Sequence, residues 1–92
     1  MDYRITCEAI EVDNEIGVCL GSAKCKVGEK YIIGSRTPEP IGMCGRAFQA
    51  ILTISFAMRF TDNLVFEKEG GYYDVICPDG HVTYRLSRYL GD

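Results

Sequence analysis

From its third residue the chain alternates. Tyr3, Ile5, Cys7 and Ala9 fall on one side of an extended segment and Arg4, Thr6 and Glu8 on the other. That period of two predicts a half-buried strand over residues 3–12. Asp13-Asn14 closes it with turn chemistry. Ile16, Val18 and Leu20 alternate again, but Gly17 and Gly21 reduce this stretch to a weak strand or an extended loop. Cys25-Lys26-Val27-Gly28-Glu29-Lys30 reads as a turn feeding a strand over 31–33, and Pro38, Pro40 and Gly42 mark an irregular connection.

The period changes over residues 42–60. Arg46, Gln49 and Thr53 form one narrow polar stripe, while Met43, Ala47, Phe48, Ile51, Ile54 and Phe56 lie among the apolar residues covering the remaining circumference. A helix apolar over so wide an arc is buried on more than one side, either in a cupped sheet or against another subunit. It does not cross a bilayer: 12 residues separate Arg46 from Arg59, against roughly 20 for a span. Further on, strands over 72–76 and 82–90 flank Cys77-Pro78-Asp79-Gly80-His81, the chemistry of a hairpin turn. Val82, Tyr84, Leu86 and Leu90 share one face of the last strand. The expected fold is a single α+β domain over residues 1–92, a small, mostly antiparallel β-β-β-α-β-β sheet packed around one central apolar helix.

Composition adds one unusual quantity. With 13 acidic and 10 basic residues the chain is no dedicated nucleic-acid binder, and its ten aromatic residues (six Tyr, four Phe) argue against disorder. Met1-Asp2-Tyr3-Arg4 carries charge where an export signal needs an apolar run, so a cytoplasmic location is expected. Five cysteines in 92 residues are many for such a chain. An odd number in a reducing compartment does not make a disulfide framework.

Three of the five stand at element boundaries beside turn residues. Cys25 lies between Lys24 and Lys26, Cys44 between Gly42 and Gly45 at the start of the apolar helix, and Cys77 ahead of Pro78. A helix N-terminus favours a thiolate, so Cys44, two residues before Arg46, is also the candidate nucleophile. Together Cys25, Cys44 and Cys77 supply three soft donors suited to zinc or an iron–sulfur cluster, with Cys19 or His81 as a fourth and Lys24, Lys26 and Arg46 offsetting the charge. Intervals of 18 and 32 residues between the three match no local ligand motif, so convergence rests on the fold. Cys7 faces inward with Ile5 and reads as core. Glu8, Glu11, Asp13, Glu15 and the run Glu67-Lys68-Glu69 read as solvated faces. Tyr72 and Tyr73 read as packing, and no Ser/His/Asp grouping, phosphate loop or carboxylate pair stands out.

The order Cys25-x-x-Gly28, Gly42-x-Cys44-x-x-Ala47 and Cys77-Pro78-Asp79 resembles a family of small uncharacterised prokaryotic proteins of similar length, often from anaerobes. The resemblance singles out the same three cysteines, leaves Cys7 and Cys19 particular to this chain, implies no dependable histidine at position 81 and brings no reaction. The expectation is therefore a cysteine-ligated metal or iron–sulfur module with a redox or accessory role, its open metal position left for a small ligand or a protein redox partner. Its alternatives are a thiol-based redox protein using Cys44, or a homo-oligomeric interaction domain whose cysteines merely pack.

Overall fold

A computed structural model describes residues 3–20, 24–34, 39, 42–61, 64–65, 67–68, 71–78 and 80–89. The elements are β1 (Arg4–Val12), β2 (Lys30–Ile33), α1 (Gly45–Arg59), β3 (Tyr72–Ile76) and β4 (Val82–Tyr89). The four strands form one sheet in the order β2-β1-β4-β3, with every neighbouring pair antiparallel. The α+β class therefore stands, as β-β-α-β-β. The weak strand expected near Ile16–Leu20 is not one of the four: Val18 makes a single bridge to Lys26, and Gly17 turns the chain at φ +71°. Pro38, Pro40, Asp79 and Leu90 lie outside the described residues.

Alternation builds the inner face of the sheet. Ile5, Cys7 and Ala9 of β1, Tyr31 and Ile33 of β2, and Val82, Tyr84 and Leu86 of β4 are all buried. On β1 the register shifts between Ala9 and Glu11, a bulge that returns Val12 to the inner face opposite Val82. The outer face of β3 and β4 is tied by charge. Arg85 makes two hydrogen bonds to its cross-strand partner Asp74, at 2.9 and 3.1 Å, and its guanidinium lies 4.1 Å from the centre of the Tyr72 ring.

The helix covers the inner face with Ala47, Ile51, Ser55 and Met58, spaced four, four and three residues apart. Its opposite side carries the expected polar residues Arg46, Gln49 and Thr53, but also Leu52, Phe56 and Phe60, exposed by 46%, 59% and 46%. The helix lies on an open sheet, so part of its apolar circumference is left in water. Its last carbonyls are closed one by one: Thr61 Oγ1 donates to Ala57 O (2.9 Å), Arg88 Nε to Met58 O (2.8 Å) and Tyr3 N to Arg59 O (2.7 Å).

Arg88 also pairs with Glu67, whose second carboxylate oxygen takes the Leu64 amide at 2.7 Å. The pair is shielded from water, with side-chain exposures of 9% and 0%. The reading of Glu67 as part of a solvated face is thus overturned: a cation from β4 reaches the segment after the helix and clamps it down. Lys68 is exposed, and Glu69 lies outside the described residues.

Candidate functional site: thiols around Tyr84

Tyr84 occupies an inner position of a central strand, paired with Ala9, and is 1% exposed. A buried phenol needs a partner for its O–H. Here it donates to Cys25 Sγ at 3.2 Å. Cys25 reaches that point because the segment after β1 folds back on it. Asn14 Oδ1 accepts the Gly17 amide at 2.8 Å, and Asn14 Nδ2 donates to Val18 O at 2.8 Å. Gly28 N then binds Ala9 O (2.8 Å) and Ala9 N binds Glu29 O (2.9 Å), stitching the returning chain to β1. Gly28 holds φ +96°, a conformation that excludes most side chains.

Further thiols belong to the same core. Cys19 stands across this loop from Cys25, its amide donating to Cys25 O at 2.6 Å. Cys7 lies on β1 one inward step from Ala9 and is fully buried. Cys44 is the N-cap residue of α1, half-buried against the core, and its carbonyl accepts the Phe48 amide at 2.9 Å. Charge on Cys7, Cys25 or Cys44 acts on Tyr84, and charge on Cys19 acts on Cys25. All five cysteines are thiols.

Burial sets the protonation of the group. It pushes the Cys25 thiol up from its ordinary 9.0 to about 11, opposed by the Tyr84 hydrogen bond and reinforced by the Glu29 carboxylate. Cys7 rises to about 12, again chiefly by burial and then through Cys25. Tyr84 is held protonated by burial first and its bond to Cys25 second. Tyr31 is pushed up to about 12 by burial and by donating to Glu29 Oε1 at 3.1 Å. At neutral pH Cys7 and Cys25 are therefore thiols, with one O–H already aimed at the Cys25 sulfur.

The sequence-derived residues divide on this geometry. Cys25 accepts the Tyr84 hydroxyl and Cys44 packs half-buried against the core at the start of α1, whereas Cys77 stands past the end of β3, where its Sγ accepts the His81 amide at 3.4 Å. His81 is exposed, as are Lys24, Lys26 and Arg46. A metal or cluster needs its donors around one point, yet no group of three or more His, Cys, Asp or Glu placed to hold a metal ion occurs among the described residues. Tyr84 is what the sequence reading passed over; Cys7 is core as expected, and Cys19, expected only as a spare ligand, lies beside Cys25. The available signal was the inward position of Tyr84, which buries a hydroxyl that must find an acceptor.

No protein-family model, curated protein or solved structure matches this chain. Among the described residues no helix is long and apolar enough to cross a membrane.

Proposed function

We propose that this chain is a small thiol–disulfide redox module, with its chemistry at the cysteines gathered by Tyr84. The observation that carries the reading is the buried Tyr84 hydroxyl donating to Cys25 Sγ, with Cys19 joined to Cys25 by a backbone hydrogen bond and Cys7 and Cys44 in the same core. The bond satisfies the buried Tyr84 hydroxyl and at the same time points a donor at the Cys25 sulfur. A cysteine that must pass through its anion gains charge stabilisation from one. Cys19, Cys44 and Cys77 are half-buried and open to a reagent, and buried Cys25 resolves the one that stands beside it, Cys19.

The test is alkylation of the folded protein with peptide mapping, before and after treatment with a small disulfide, alongside metal analysis of protein purified without oxygen. Cys19 and Cys44 label before Cys25 and Cys7, and the disulfide consumes thiols in pairs while the fold persists. Five thiols surviving excess disulfide would end the redox reading. Stoichiometric iron or zinc, lost on replacing Cys25 or Cys44, would substitute the cysteine-ligated metal module for it.

A second reading, compatible with the first, is self-association through α1. The stripe Leu52, Phe56 and Phe60 supports it: these residues recur every four positions, are all exposed, and Phe56 and Phe60 meet edge-on with centroids 5.1 Å apart.

A further inference from the structure

We propose that Cys19 and Cys25 form a reversible disulfide across the loop that joins β1 to β2. The inference rests on the redox reading above and names its reacting pair. Backbone register is what carries it. Val18 bridges Lys26 in antiparallel sense, Cys19 N donates to Cys25 O at 2.6 Å, and Val27 N donates to Gly17 O at 3.0 Å. That register, carried one position on from the Val18–Lys26 bridge, places Cys19 opposite Cys25, joined by one of the two hydrogen bonds such a pair can make. Opposed antiparallel residues have Cα atoms about 4.5–5.5 Å apart, within the about 4.4–6.8 Å that a disulfide spans.

The side chains agree with the register. Cys25 is buried in the core and Cys19 packs partly buried against it, while Lys24 and Lys26 between and beyond them are exposed. Charge on Cys19 acts on Cys25, as closeness requires. Cys7 and Cys44 share the core, but neither shares a backbone register with Cys25: Cys7 pairs with Tyr31 and Leu86, and Cys44 caps the start of the helix. Lys24 holds φ +49°, left-handed backbone in a residue that rarely adopts it, immediately before Cys25.

The chemistry balances with a low-molecular-weight disulfide as oxidant. Cys19, the more exposed of the two, attacks one reagent sulfur as its thiolate and displaces the first small thiol. Cys25 then gives up its proton, the thiolate so formed being stabilised by Tyr84 O–H, and attacks the Cys19 sulfur; the charge leaves on the second small thiolate, which takes up the proton. The protein loses two electrons and two protons, one S–S bond forms, and one reagent S–S bond becomes two thiols.

The experiment treats the full chain with oxidised glutathione, blocks the remaining thiols, and maps the links after combined tryptic and Glu-specific digestion. Cleavage after Glu8, Glu11 and Glu15 separates Cys7 from Cys19, and cleavage after Lys24 separates Cys19 from Cys25. The expected product links Cys19 to Cys25 and leaves Cys7, Cys44 and Cys77 blocked. In Cys19→Ser, a change at a half-buried position, that intramolecular link is lost and Cys25 is recovered as a thiol. A link from Cys25 to Cys44 or Cys7 would overturn this pair and leave the redox reading standing. Retention of all five thiols would overturn both.

Discussion

Tyr84 carries its hydroxyl into the core because the alternation of β4 gives it no other direction, and Cys25 is the group it meets there. The contact has two measurable consequences. Tyr84→Phe keeps the ring and removes the donor, so its cost is that of one neutral hydrogen bond, about 0.5–1.5 kcal/mol in chemical denaturation. Because that bond favours the thiolate, the variant also shifts the alkylation of Cys25 to higher pH. Both changes are expected together, and a loss of stability with an unchanged pH profile would separate the two roles. Burial of Cys25 and Cys7 also fixes the sign of the alkaline limit. Both thiols ionise at higher pH in the folded chain than in the unfolded one, so the folded state keeps protons that the unfolded state sheds. Their contribution is fully present below about pH 9 and is lost as pH rises toward about 11 for Cys25 and about 12 for Cys7. Denaturation midpoints measured across that window should fall, and less steeply in Cys7→Ala once its own cavity cost is subtracted.

Among the elements, α1 is held in two ways. Its inner face buries Ala47, Ile51, Ser55 and Met58, and its last turn is closed by Thr61, by the Tyr3 amide just before β1 and by Arg88 of β4. Ile51→Ala opens a cavity at the centre of the helix–sheet contact and should cost about 2–5 kcal/mol by denaturant titration. Arg88→Met removes the guanidinium that holds both Glu67 and the Met58 carbonyl, leaving a shielded carboxylate without its cation. Loss of one partner of such a pair costs about 3–5 kcal/mol. Glu67 also sets the acid limit: the Arg88 hydrogen bond holds its carboxyl below the ordinary range, so its stabilisation is present above that range and disappears as pH falls through the lowered value. Glu67→Gln should flatten the acid side of the stability profile. On the outer face of the helix the expectation reverses. Phe56→Ser, at a residue 59% exposed, should change monomer stability by no more than about 0.5 kcal/mol while weakening any association seen by light scattering. A monomer at all accessible concentrations would remove the self-association reading.

For the molecule as a whole, smallness decides much. Its shortest principal extent is 19 Å, the depth of one helix layer on one sheet layer at about 10 Å each, so there is room for a single core and one open sheet face. Periodicity exposed most of this frame, because a buried strand face and a helix stripe are local patterns: β1, β3, β4 and α1 lie close to where the alternation puts them. The Val12 bulge escaped it, since a bulge shifts register against a partner strand that the local pattern does not contain. Glu67 escaped for a similar reason. Its neighbours Lys68 and Glu69 suggest water, and its cation arrives from β4, 21 residues away in sequence. The cysteines show the division most plainly. Their number, the inward position of Cys7 and the boundary positions of Cys25, Cys44 and Cys77 are properties of the sequence, because each follows from its immediate neighbours. That the Cys19 amide binds the Cys25 carbonyl, that Tyr84 reaches Cys25, and that Cys77 binds the His81 amide were decided only by tertiary structure. These contacts depend on how a returning loop docks on β1 and which strand carries Tyr84 beneath it, and no local period encodes that distance.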